Sequence, residues 1–244
     1  MHIFGINRSG IHAFAYWLVG HFSRREVLFV RKPTETARLA FAKPRRTKVV
    51  MFTHENIHPK YMRQVMRQSR KFSKALPKDK IVTAFLILRD PYNHFASMLA
   101  RPRYVFPYVD SMKEIDQYKT AASAAAERKG KKMQNAIPLW KHYAKEWLRE
   151  TDYLKCVPVS YNEWFVSLEY RQSLSESCGL EFSDSRLNYI PRPGGGSSFE
   201  KKKKRGQNLD VLNRWQVFKD KEWFDQLFDE EIQELSKRIF GDIR

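Results

Sequence analysis

The apolar positions along the chain fall into short continuous runs separated by stretches of helical spacing. His2 to Phe4 is the first run, and it turns through Gly5-Ile6-Asn7-Arg8-Ser9-Gly10 into Ile11 to Phe22, where Phe14, Leu18 and Phe22 share a face. This order is strand, tight turn, helix. Val27 to Val30 and Lys48 to Phe52 are two further strand runs, the second ending at Thr53-His54-Glu55. A proline suits a first helical turn, so Pro59 opens a helix that Tyr61 to Leu76 continues. Ile81 to Leu88 is the longest apolar run and predicts a central parallel strand, stopping at Arg89-Asp90-Pro91 before a helix over Asn93 to Leu99.

The second half is richer in helical spacing. Lys113 to Glu150 predicts helix broken near Pro138, with Leu139, Trp140, Tyr143, Trp147 and Leu148 at helical intervals. On spacing alone these aromatics are core rather than a substrate wall, by roughly two to one. Leu154 to Ser160 is a strand leading into Tyr161-Asn162-Glu163-Trp164 and a helix. Asn188 to Arg205 has turn composition and a basic end, which predicts a mobile loop over residues 190–206. Two helices, about Asp210 to Phe218 and Glu222 to Phe240, close the chain. Strands alternating with helices predict an α/β fold, a central, mainly parallel sheet flanked by helices, in a single domain spanning residues 1–244.

Composition narrows the partners. A formal charge of +18 points to an anion: nucleotide, nucleic acid, acidic glycan or membrane surface. Cys156 and Cys178 do not make a disulfide scaffold, which fits a reducing, cytoplasmic setting. The apolar runs fall short of the roughly 20 residues of a membrane span. The sequence also begins directly on the first strand run, leaving no room for a secretory signal. No CxxC or HExxH metal-ligand spacing occurs.

In parallel sheets, ligands gather at the carboxyl ends of strands. Three polar clusters fall there: Arg8-Ser9, Thr53-His54, and Arg89 with Ser97. Gly5 and Gly10 have the glycine spacing of a Walker A loop, yet Ile11-His12 stands where Lys-Ser/Thr should follow. That disfavours an Mg-nucleotide kinase or NTPase. Arg89 and Ser97 lie eight residues apart and can grip one dianionic group from two sides. The plainer readings are a surface Arg8, and an Asp90 helix cap beside an incidental Arg89.

Arg-Ser-Gly in a strand–loop–helix turn, Thr-His after a later strand, and Arg-Asp-Pro with Ser97 eight residues past the Arg resemble the sulfotransferase superfamily. Those enzymes use 3′-phosphoadenosine 5′-phosphosulfate (PAPS) and have a P-loop NTPase-like, three-layer α/β fold. The resemblance implies that Arg8, Ser9, Gly10, Ile11 and His12 hold the 5′-phosphosulfate. It implies that Arg89 and Ser97 hold the 3′-phosphate and that His54 is the general base, with Arg8 aiding the chemistry. Val159 to Glu163 resembles the family's segment near the adenine, through Tyr161. Phe199 and then Lys204, Arg205 and Gly206 resemble a late loop that closes over the 3′-phosphate. Departures from the family pattern are Arg8 in place of a Lys, His12 in place of a hydroxyl residue, and no Lys between Arg205 and Gly206. Glu55 is the alternative base. The product would be the desulfated nucleotide, PAP, and no metal is required.

The acceptor expected is a hydroxyl or amine on a small molecule or carbohydrate, and no dedicated nucleic-acid partner is expected. Two rival classes remain: a kinase-like P-loop protein, and a non-enzymatic nucleic-acid-binding protein that would account for the Lys201–Arg205 run.

Overall fold

The computed structural model describes residues 1–23, 26–30, 49–72, 83–100, 136–189 and 206–243. Five strands form one sheet: β1 His2–Gly5, β2 Val27–Val30, β3 Val49–Glu55, β4 Ala84–Leu88 and β5 Val157–Ser160. Their order across the sheet is β2-β3-β1-β4-β5, and every neighbouring pair is parallel. This is an α/β fold with helices on both faces of an all-parallel sheet.

Alternation along the strands sorts the core into two layers. Ile3, Met51, Phe85, Ile87 and Val159 pack with Phe14, Trp17 and Leu18 of helix α1 (Ile11–Val19). Phe4, Leu86 and Leu88 face the other way. They pack with Met62 and Met66 of α2 (Met62–Phe72), Phe95 of α3 (Pro91–Leu99), and Trp140 and Tyr143 of α4 (residues 136–147). Helices α5 (Tyr161–Val166) and α6 (Leu168–Ser177) follow β5, with Trp164 and Leu174 packing on the α1 side. Helices α7 (Glu222–Asp225) and α8 (Glu230–Phe240) close the chain on the other side.

Several boundaries differ from the sequence pattern, each for a local reason. Helix α1 stops at Gly20, whose N–H bonds back to the Tyr16 and Trp17 carbonyls. Strand β3 runs to Glu55, so Thr53 and His54 are paired with Ile3 and Phe4 inside the sheet rather than lying beyond its end. The segment over 214–218 is a 3₁₀ turn rather than an α-helix. The last helical stretch divides in two, because the Asp229 side chain caps a fresh start by accepting from Ile232 N–H. Helix α4 includes Pro138; the predicted helix before residue 136 and the basic loop over 190–205 lie outside the described residues. Trp140 and Tyr143 are fully buried in the core, as their spacing predicts.

The chain leaves β1 toward β2 and β3 on one side of the sheet and returns to β4 and β5 on the other. The order therefore reverses between the neighbours β1 and β4. The turns after their carboxyl ends carry Arg8 and Arg89, at the place where ligands bind in open parallel sheets.

Candidate functional site

The turn between β1 and α1 is folded tightly by its own residues. Arg8 takes a left-handed backbone, φ 78°, which a non-glycine residue adopts only at a cost. Gly10 follows with φ 89°. Ser9 N–H closes the turn onto the Ile6 carbonyl at 2.9 Å. Asn56, just past β3, braces it from outside: its side-chain oxygen accepts Asn7 N–H at 2.9 Å, and its own N–H bonds the Gly5 carbonyl at 3.0 Å.

Gly5 is fixed by space, and Gly10 by space as well as by conformation. A Cβ on Gly5 would lie 2.7 Å from Ser9 Oγ, and one on Gly10 would lie 2.0 Å from the Tyr161 ring. The first backbone bond of α1 joins Phe14 N–H to the Gly10 carbonyl at 3.1 Å. The N–H groups of Ile11, His12 and Ala13 therefore precede the helical ladder and stand at its positive end. Ile11's side chain is buried in the core, so only its backbone is available to a ligand.

The second half of the site is built on α3. Asp90 caps the helix by accepting Asn93 N–H at 2.8 Å, and Pro91 occupies its first turn. Asn162 of α5 holds the same carboxylate at 2.9 Å. Burial raises the Asp90 pKa. Trp140 Nε1 anchors the Arg89 carbonyl at 2.9 Å. The Arg89 guanidinium is thereby aimed along the helix and donates to Ser97 Oγ at 2.8 Å and to the Val211 carbonyl. Arg89 also lies 5.2 Å from the centroid of the Tyr161 ring, the ring that covers Gly10. Tyr161 thus joins the two halves.

Arg214 completes this half, and no sequence spacing marked it. Its guanidinium donates to the same Ser97 Oγ at 3.1 Å. Ser97 Oγ spends its single proton on the Asn93 carbonyl at 2.7 Å, so it accepts from both arginines. Two buried cations, 2% and 7% exposed, therefore share one neutral hydroxyl. The Asp90 carboxylate is held by Asn93 and Asn162, and Arg214 Nε also donates to the Asp210 carbonyl at 3.3 Å. Burial pulls the Arg89 pKa down to about 10, still charged at neutral pH. Arg89 Nε and Ser9 Oγ are buried with no hydrogen-bond partner. Such groups are costly unless something anionic or polar satisfies them.

Comparison with known protein families, curated proteins and solved structures returned no match.

The remaining sequence candidates are placed as follows. His54 is 3% exposed; its Nε2 lies 3.0 Å from His2 Nδ1, and its ring stacks on Phe4 at 4.6 Å. Burial, helped by the nearby terminal ammonium, lowers its pKa to about 4. Alternation in β3 sends the next side chain, Glu55, to the face covered by α1, where Glu55 Oε1 lies 3.5 Å from His12 Nε2. His12 and Glu55, not His54, thus stand at the turn. Gly206 is buried, begins a 3₁₀ turn over Gly206–Asn208 and packs on Asn188; it leads in five residues to the Val211 carbonyl that binds Arg89. Phe199, Lys204 and Arg205 lie outside the described residues.

Among the described residues no group of three or more His, Cys, Asp or Glu side chains is placed to hold a metal ion, and no helix is long and apolar enough to cross a membrane.

Proposed function

We propose that this protein is a PAPS-dependent sulfotransferase, moving a sulfuryl group to a hydroxyl or amine of a small-molecule or carbohydrate acceptor. The observation that carries the reading is the convergence of Arg89 and Arg214 on Ser97 Oγ beside the glycine turn. Two buried guanidiniums that meet at one neutral hydroxyl fit a dianion, and the glycine turn offers a second anion cradle under Tyr161. One nucleotide with phosphates at both ends fits that pair better than a nucleotide phosphorylated at one end. Orphaned Arg89 Nε and Ser9 Oγ fit the same group.

The donor supplies an activated sulfuryl group on its 5′-phosphate. The protein's residues then do four things. Arg89, Ser97 and Arg214 hold the 3′-phosphate and exclude nucleotides that lack it. Arg8 and the N–H groups at the start of α1 neutralise charge that develops on the 5′-phosphate as the bond to sulfur breaks. Tyr161 covers the turn and fixes the spacing between the two phosphate sites. Glu55, half-buried beside His12, accepts the acceptor's proton. This last role passes from His54 to its neighbour because strand alternation buries the histidine against Phe4.

Calorimetry with PAP and AMP tests the reading. PAP should bind at least 10-fold more tightly than AMP, the scale of a charged hydrogen bond. Equal affinities would remove the 3′-phosphate site. A rival nucleic-acid-binding role predicts steeply salt-dependent RNA or DNA binding with no PAP binding.

A further inference from the structure

His94 is a polar side chain of α3 that the site above leaves unused. Helix α3 is buried from Pro91 to Met98. Its polar residues Asn93, Ser97 and His94 fall within about 100° of arc on a helix of 3.6 residues per turn. Asn93 is satisfied by Asp90, the Leu212 carbonyl and the Arg214 N–H. Ser97 is satisfied by Asn93, Arg89 and Arg214. His94 is 0% exposed, and neither ring nitrogen has a hydrogen-bond partner. Its aromatic neighbour is Phe95, edge-on at 5.4 Å.

The charges acting on this ring are Arg89, at the end of β4, and Arg8, in the turn after β1. Arg214 reaches Ser97 one helical turn further on, and Tyr161 lies against Arg89. The only carboxylate close in sequence, Asp90, is engaged by Asn93 and Asn162. An imidazole with a buried N–H and a buried lone pair, both unanswered, costs stability. Buried beside Asn93 on the helix that carries Ser97 and acted on by the charges of both Arg89 and Arg8, it is poorly explained by packing alone.

We infer that His94 is an anion-binding residue of this site and takes up one proton when a phosphorylated nucleotide enters. The inference rests on the reading of the site as a nucleotide-phosphate site. Without ligand, burial and then the charges of Arg89 and Arg8 hold the ring neutral, its pKa lowered to about 3. An entering phosphate cancels the repulsion from those two arginines and offers an acceptor for a ring N–H. Both changes favour the imidazolium. The proton comes from solvent and no covalent bond changes. The consequence is a nucleotide affinity that strengthens as pH falls toward 6.

The test is titration of the full chain with PAP at pH 7.5 in two buffers of different ionisation enthalpy. The difference in observed heat counts protons bound. Phosphate monoesters lose their second proton near pH 6, so any contribution from PAP itself is proton release, of opposite sign. The parent should take up about 0.5–1 proton. His94→Gln should abolish the uptake and weaken PAP by about 10- to 100-fold. His94→Leu should do the same while raising the Tm of the ligand-free protein, because an unsatisfied buried group is removed; a purely structural histidine would give the opposite Tm change and spare affinity. Proton uptake and affinity unchanged in both variants overturn the inference, as does uptake that vanishes in His12→Gln but survives in His94→Gln. A parent that binds PAP without proton uptake overturns the role of His94 alone. A parent that does not bind PAP overturns the phosphate reading and this inference with it.

Discussion

Arg214 donates to Ser97 Oγ at 3.1 Å across 117 residues of sequence. The contact ties the 3₁₀ turn over Arg214–Phe218 to the middle of α3, and it places a second guanidinium where Arg89 already sits. Removing either arginine should weaken PAP by about 1.5–3 kcal/mol, the worth of a hydrogen bond to a charged group. Arg214→Ala and Arg89→Ala measured singly and together by calorimetry check this. Coupling in the double variant is expected, since both cations face one phosphate. Arg214→Ala with unchanged PAP affinity removes Arg214 from the site.

Gly10→Ala should disable the turn for two separable reasons. The backbone stands at φ 89°, and the new methyl meets the Tyr161 ring at 2.0 Å. Backbone strain alone is worth about 1–3 kcal/mol. Adding Tyr161→Ala to Gly10→Ala removes the clash and leaves the strain, so thermal stability should recover in part while PAP binding stays weak. Full recovery of binding in the double variant would count against the turn as a phosphate site.

Glu55 and His54 are adjacent, yet they should behave oppositely. Glu55→Gln is expected to cost roughly 10²–10⁴ in turnover, with PAP affinity within about twofold of the parent because no phosphate contact is removed. His54→Asn should spare turnover and lower stability, since it breaks the buried contact with His2 and the stacking on Phe4. Turnover measured with labelled PAPS on an acceptor panel decides between them. Loss of turnover confined to the His54 variant would restore it as the base.

Acid should destabilise the ligand-free fold starting near pH 6.5. His54 and His94 have folded-state pKa values lowered to about 4 and about 3. The unfolded chain therefore binds more protons than the folded one between those values and 6.5. Stability is fully present above 6.5 and is lost as pH falls toward 4, by about 1.4 kcal/mol per pH unit for each histidine. Urea unfolding between pH 7 and 5 should show this slope, and His94→Leu should reduce it. A flat profile would contradict the burial of both rings.

Much of this was readable from residue order. The short apolar runs located the five strands, and the run ending at Leu88 marked β4, buried along its whole length; it is an interior strand between β1 and β5, while β1 holds the centre of the sheet. Asp90-Pro91 announced the start of α3, because an acceptor side chain followed by a proline satisfies the first turn without tertiary help. The eight-residue interval from Arg89 to Ser97 proved to be a direct contact, since the long Arg89 side chain runs along α3 to a hydroxyl about two turns down.

Other features were beyond residue order. The extent of β3 depended on pairing with β1, which carries the ladder through His54 to Glu55. Carrying the ladder through to Glu55 decides which side chain reaches the turn, because successive residues point to opposite faces and His54 and Glu55 therefore part. Arg214 has no helical or strand spacing to Ser97 and no motif around it. Loops and 3₁₀ turns are placed by the surfaces they pack on. His94 read as one more residue of a helix until its neighbours were known.

The sequence by itself determined the alternation of strands and helices, the glycine turn after β1 and the pairing of Arg89 with Ser97. Each of those is set by local geometry: strand period, helix period, and the conformations open to glycine and proline. Only the tertiary structure decided that Tyr161 closes over Gly10, that Arg214 joins Arg89, and that Glu55 replaces His54 beside the turn. Those contacts join segments far apart in the chain, and sheet order and packing, rather than any spacing along it, bring them together.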